Sequence, residues 1–65
     1  MTLDEIKAAA KLFGCRKYVG THTTHFFSFR SISDMDRFAQ WVSVRGFHFV
    51  RSTTHLWVAV RYKEK

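Results

Sequence analysis

The residues of this chain whose types could do chemistry are four histidines, one cysteine, and arginines scattered among aromatic rings. Cys15, His22 and His25 would bring three ligands to one metal, but zinc sites draw on His and Cys pairs at tight spacing with a fourth ligand. No such spacing and no fourth ligand occurs, so the four histidines read as surface or turn residues and no metal is expected. Asp4 and Glu5 open one helix-like segment, Asp34 and Asp36 open another, and Glu64 lies near the end. Capping, helix-dipole and solubility roles account for all five carboxylates. No Gly-rich phosphate loop and no activated Ser or Cys motif appears. Cys15 precedes Arg16 and Lys17, cations that lower a thiol pKa, yet a small, partly buried role suits it as well. The expectation is a non-enzymatic protein without cofactor or small-molecule substrate.

Binding chemistry is better represented. Eleven Lys/Arg oppose five Asp/Glu, a formal net charge of +6 in 65 residues. A bias of that size favours an anionic partner: nucleic acid, an acidic protein surface or an anionic membrane. Aromatic residues make up 17% of the chain, which argues for a folded domain rather than a basic tail. Residues 1–65 read as one domain with a marginal core, since a chain this short buries only about 60% of its unfolded surface. A lone cysteine allows no internal disulfide, which fits a reducing compartment. No apolar run approaches the roughly 20 residues that span a bilayer. The start, Met1-Thr2-Leu3-Asp4-Glu5, reads as a helix start rather than a signal peptide. A cytoplasmic location without membrane contact is therefore expected.

These residues must be positioned by short elements. Thr2 and Glu5 form a capping-box pattern, and Leu3, Ile6, Ala10 and Phe13 recur at helical spacing up to Gly14, so a helix is predicted over 3–13. Arg16–Val19 reads as a short strand, 20–23 as a turn, and 25–30 as a second strand. A second helix follows with Ser33 as cap and Met35, Phe38, Ala39 and Val42 on one face, closing at Gly46. A hairpin over 47–62 with a Ser52–His55 loop would pair Arg51 with Leu56, Phe49 with Val58 and Phe47 with Val60. Its core face would carry Phe47, Phe49, Leu56, Val58, Val60 and Tyr62.

The order is αββαββ, an α+β fold. It is similar to a circular permutation of the ferredoxin-like βαββαβ order. Two helices would cover one face of a four-stranded antiparallel sheet, with the segments around 25–30 and 55–62 central, and leave the other face open. Alternation along the strands then assigns Arg16, Tyr18, Phe26, Arg30, His48, Trp57 and Arg61 to the open face. Rings there offer stacking surfaces for bases, and arginines contact phosphates. The expected function is nucleic-acid binding without strong base specificity. The alternative partner is an acidic host protein or nucleoprotein complex, engaged by a small inhibitor or accessory protein of the kind phages and mobile elements encode, such as an anti-CRISPR-like protein. Trp, Tyr and Arg are equally the residues of protein hot spots. The same rings could also form a homodimer interface.

Two further strings carry resemblances. Arg45-Gly46-Phe47-His48-Phe49-Val50-Arg51 resembles the RNP1 octamer of RNA-recognition motifs. His48 stands where that family has Gly or Ala, Ser52 where it has an aromatic, and the resemblance would turn Phe47 and Phe49 outward. Gly20-Thr21-His22-Thr23-Thr24-His25-Phe26 resembles the Gly-Ser-His-His segment of HicA-type toxins, small basic ribonucleases. That resemblance implies an αβββα order and His22 as the catalytic residue.

Overall fold

The computed structural model describes residues 2–62, so Glu64 lies outside the described residues. The element order is α1 (Leu3–Leu12), β1 (Lys17–Gly20), β2 (Thr24–Ser28), α2 (Ile32–Val44), β3 (His48–Ser52) and β4 (Trp57–Arg61). The strands form one antiparallel sheet in the order β1-β2-β4-β3. That is the strand order of the permuted ferredoxin-like arrangement, with β2 and β4 central. The αββαββ order departs from the αβββα order of the HicA-type resemblance.

Both helices start and stop for local reasons. Thr2 and Glu5 complete the capping box of α1: each donates from its backbone to the other's side chain. Ser31, not Ser33, caps α2, because its Oγ accepts from the Asp34 amide at 3.2 Å, three residues on. At the far ends, Cys15 donates to the Ala10 carbonyl and Phe47 to the Val42 carbonyl, with Gly14 (φ 93°) and Gly46 (φ 80°) in the left-handed region. These are paired Schellman closures.

The core lies between the helices and one face of the sheet. Ile6, Ala9 and Ala10 of α1 and Met35, Phe38, Ala39 and Val42 of α2 pack against Phe27, Phe29, Val58 and Val60. Phe38 sits at its centre, with the rings of Phe27 and Phe29 at 5.1 and 5.3 Å and those of Trp41 and Phe13 at 6.0 and 6.2 Å.

The second hairpin differs from expectation by one loop position. Ser52 pairs with Trp57, so Phe49 faces Val60 and Arg51 faces Val58. The loop is Thr53–Leu56, and Leu56 takes φ 58°, a region leucine seldom enters. Its carbonyl meanwhile accepts the Phe29 amide at 2.8 Å, tying the loop to the end of β2. The register moves by two residues, an even step, so the residues that remain in the strands keep their expected faces, while Leu56, expected on the core face, falls in the loop. Phe47 and Phe49 therefore pack half-buried against the core rather than outward as the RNP1-like string implied.

Candidate functional site

The open face of the sheet is read from its cross-strand rows, since directly opposed residues share a face. One row is Val19–Phe26–Ala59–Val50, apolar across all four strands. Beside it run Lys17–Ser28–Trp57–Ser52 on one flank and Thr24–Arg61–His48 on the other. Phe26 and Trp57, diagonal neighbours, meet edge to face with centroids 5.4 Å apart at 81°. Ala59 is only 5% exposed although it is no member of the core cluster, so the larger side chains of this face shelter it. Val19 and Val50, at the two sheet edges, are half-exposed. The result is a shallow aromatic and aliphatic floor with Lys17, Arg61 and His48 at its margin.

Of the seven residues assigned to this face, four take their place within the strands: Phe26, His48, Trp57 and Arg61. Arg30 follows two residues after Ser28, where the Phe29 amide still continues the ladder, and is exposed. Tyr18 is on the other side. It pairs with Phe27, whose side chain is in the core. The turn between β1 and β2 is the three residues 21–23, locked by reciprocal bonds between Thr21 and Thr24, and that length fixes the parity of β1. Arg16 leaves the face as well. Its amide donates to the Ser28 carbonyl just ahead of β1, and its side chain lines the groove between α1 and β1.

Tyr18 has a defined job on the helix side. Its hydroxyl lies 2.6 Å from Nδ1 of His25, and the two rings stack within 9° of parallel. His25 is 5% exposed, so this bond satisfies a buried imidazole. The Lys7 ammonium sits 4.5 Å above the Tyr18 ring. Gly20 makes room: a Cβ there would stand 2.9 Å from Tyr18 Cζ and run into its hydroxyl.

The α1–β1 groove has a volume of about 470 Å³ and carries four cations, Lys7, Lys11, Arg16 and Lys17, with no carboxylate in its lining. Lys7, Lys11 and Lys17 are not among the residues expected at the binding face. The signal present was the i, i+4 spacing of the two helix lysines, which puts them on one face. Cys15 also lines this groove; burial pushes its thiol pKa up, outweighing the backbone hydrogen bonds at Lys17 and Ser28 that pull it down.

Other cations are engaged elsewhere. Arg51 shares the helix-side face with Val58 and bonds Asp36 of α2 at 2.6 Å. Arg45 lies 3.9 Å over the Trp41 ring and donates to the Trp41 carbonyl. His22 is exposed in the β1–β2 turn. Among the described residues no three His, Cys, Asp or Glu side chains gather where a metal could bind, and no helix is long and apolar enough to cross a membrane. No protein-family model matches the chain, and no curated protein or solved structure matches it either.

Proposed function

We propose that the chain is a small nucleic-acid-binding domain that receives single strands on its open sheet face. The observation carrying this reading is the edge-to-face pair of Phe26 and Trp57 on a face no helix covers, with Lys17 and Arg61 in the adjoining rows. Bases stack on the rings, which every base can do, so selectivity for sequence is low. Lys17, Arg61, His48 and Arg30 supply cationic or hydrogen-bonding contacts to phosphates around the floor. No catalytic set is required.

The test uses Trp57 itself. The chain has two tryptophans, so in a Trp41→Phe background Trp57 alone reports stacking by quenching of its fluorescence. A short oligothymidylate or oligouridylate at low salt should quench it, and Trp57→Ala should weaken binding by roughly 5- to 150-fold, the equivalent of about 1–3 kcal/mol. Undetectable binding of every oligonucleotide at low salt sinks the reading.

A second reading has its own observation. The row Val19–Phe26–Ala59–Val50 is apolar from edge to edge, as a protein-docking surface is at its centre. An inhibitor-type protein docking on an acidic host partner would use the same face. Capture from lysate with and without nuclease separates the two: a partner kept after nuclease treatment supports protein docking, and one lost supports nucleic acid.

A further inference from the structure

Among the described residues, four cations outside any ion pair gather off the sheet face, in the groove between α1 and the edge strand β1. Lys7 and Lys11 stand one turn apart on α1, and Arg16 and Lys17 face them from the start of β1. Asp4, one turn before Lys7, lies outside the lining, and Glu5 is held in the capping box. Among the described residues none of the four groove cations makes an ion pair. Four such cations around one concavity give it a positive potential that favours an anionic ligand. Ala8 and the Tyr18 ring give the concavity an apolar floor, so a ligand with both an apolar surface and negative charge fits it best.

Lys17 joins this groove to the sheet face. It lines the groove, yet it belongs to the open-face row Lys17–Ser28–Trp57. Two interstrand steps, about 10 Å, separate its backbone from that of Trp57. A chain with bases on the Phe26–Trp57 floor meets the groove as soon as it crosses the β1 edge. An acidic protein segment could satisfy the charges, but the apolar floor between them suits a sugar and base between successive phosphates. We infer that the α1–β1 groove is the second half of the nucleic-acid site: the sugar–phosphate backbone of a single strand leaves the sheet face over Lys17 and lies between Lys7, Lys11 and Arg16. This inference rests on the nucleic-acid reading above and extends its footprint around the edge of the sheet.

The experiment is a salt titration of a fluorescein-labelled dT12 oligonucleotide against the Trp41→Phe protein and its Lys11→Gln/Arg16→Gln derivative. Each lost phosphate contact lowers the slope of log affinity against log salt by about 0.7 for a single strand, so the double variant should lose about 1.4. Affinity at low salt should fall by on the order of tenfold, while saturating quenching of Trp57 persists because the bases still stack. Ala8→Glu, at an exposed helix position, gives an independent variant that adds an acid to the groove without removing any of its four cations. It should weaken binding in the same direction with an unchanged melting temperature. An unchanged slope with intact quenching overturns the groove inference and leaves the sheet reading standing. Binding that responds to the groove variants without quenching Trp57 overturns the sheet reading instead. Displacement of dT12 by poly-glutamate at equal charge concentration, with the same sensitivity to the groove variants, overturns both in favour of an acidic protein partner.

Discussion

The Tyr18 hydroxyl stands 2.6 Å from Nδ1 of His25 and gives this buried imidazole its hydrogen-bond partner. Three elements meet at this pair, because Lys7 of α1 rests on the same tyrosine ring and His25 belongs to the central strand β2. Tyr18→Phe keeps the ring and the lysine contact but removes the oxygen. The imidazole nitrogen is then left unsatisfied, at a cost of about 1–3 kcal/mol. In a domain this small each kcal/mol moves the melting temperature by roughly 4–8 °C. Thermal denaturation by circular dichroism should show that drop; an unchanged melting temperature would mean that the bond contributes nothing.

Gly20 shares that fate by a different route. Its backbone needs no unusual torsion, but a Cβ would enter the space of the Tyr18 hydroxyl and come within 3.0 Å of His25 Nδ1. Gly20→Ala should therefore swing the tyrosine away and break the same bond. The two substitutions should not add: the double variant should be about as unstable as the worse single one, with a coupling energy on the order of 1 kcal/mol. Simple additivity would show that alanine at 20 acts elsewhere.

The core permits a blunter expectation. Phe38 is fully buried, and four other rings lie within 6.2 Å of it. Phe38→Ala typically costs about 3–5 kcal/mol, and at roughly 0.05–0.15 kcal/mol per residue the whole domain is stable by only a few kcal/mol more. The variant should be largely unfolded at 37 °C by circular dichroism. A cooperative melt within a few degrees of the parent would contradict the packing described.

How much of this could be read beforehand depended on the range of the signal. The helix-two stripe Met35, Phe38, Ala39 and Val42 is a local period, and all four are buried. The sheet order followed from element order and from which segments were most apolar. Tyr18 departs from its expected face because the three-residue turn at 21–23, and not the pattern of β1 itself, sets that strand's parity. Ser33, the cap expected from the sequence, lies inside α2, and the Ser31 oxygen accepts from the Asp34 amide instead. A loop at Ser52–His55 would put Leu56 in the strand, but Ser52 extends β3 by one residue and Leu56 closes the loop at φ 58°, its carbonyl accepting the Phe29 amide. The groove was invisible for a similar reason: Lys7 and Lys11 meet Arg16 and Lys17 only after the chain doubles back at Gly14.

Cys15 offers a measurable pH effect. Its Sγ donates to the Lys17 carbonyl at 3.2 Å, and its partial burial raises the thiol pKa above its ordinary value. Thiolate is the reactive form, so iodoacetamide at pH 8.5 should modify the folded chain more slowly than the urea-unfolded chain. The sign for stability follows. The folded state holds the proton more tightly, so this contribution is complete below the unfolded thiol's pKa. It is lost as pH rises through the raised folded value. Equal alkylation rates in the two states would remove the basis for both statements.

Two arginines decide whether the surface or merely the net charge matters. Arg61 ends β4 on the open face, between Thr24 and His48. Arg51 lies on the neighbouring strand but faces α2 and is tied to Asp36. Replacing either by glutamine removes one positive charge, so any binding driven by total charge should fall equally for both. Binding organised on the sheet face should not. Arg61→Gln should lower the salt slope for a single-stranded oligonucleotide by about 0.7 and weaken affinity. Arg51→Gln should leave the slope unchanged, because its guanidinium is already partnered on the side the strand does not visit. The exposed ion pair itself contributes only about 0–1 kcal/mol, so Arg51→Gln should also remain folded and serve as a fair control. Equal losses for the two variants would reduce the proposed site to nonspecific attraction by a charged sphere; a loss confined to Arg61 places the contact on the face that carries Phe26 and Trp57.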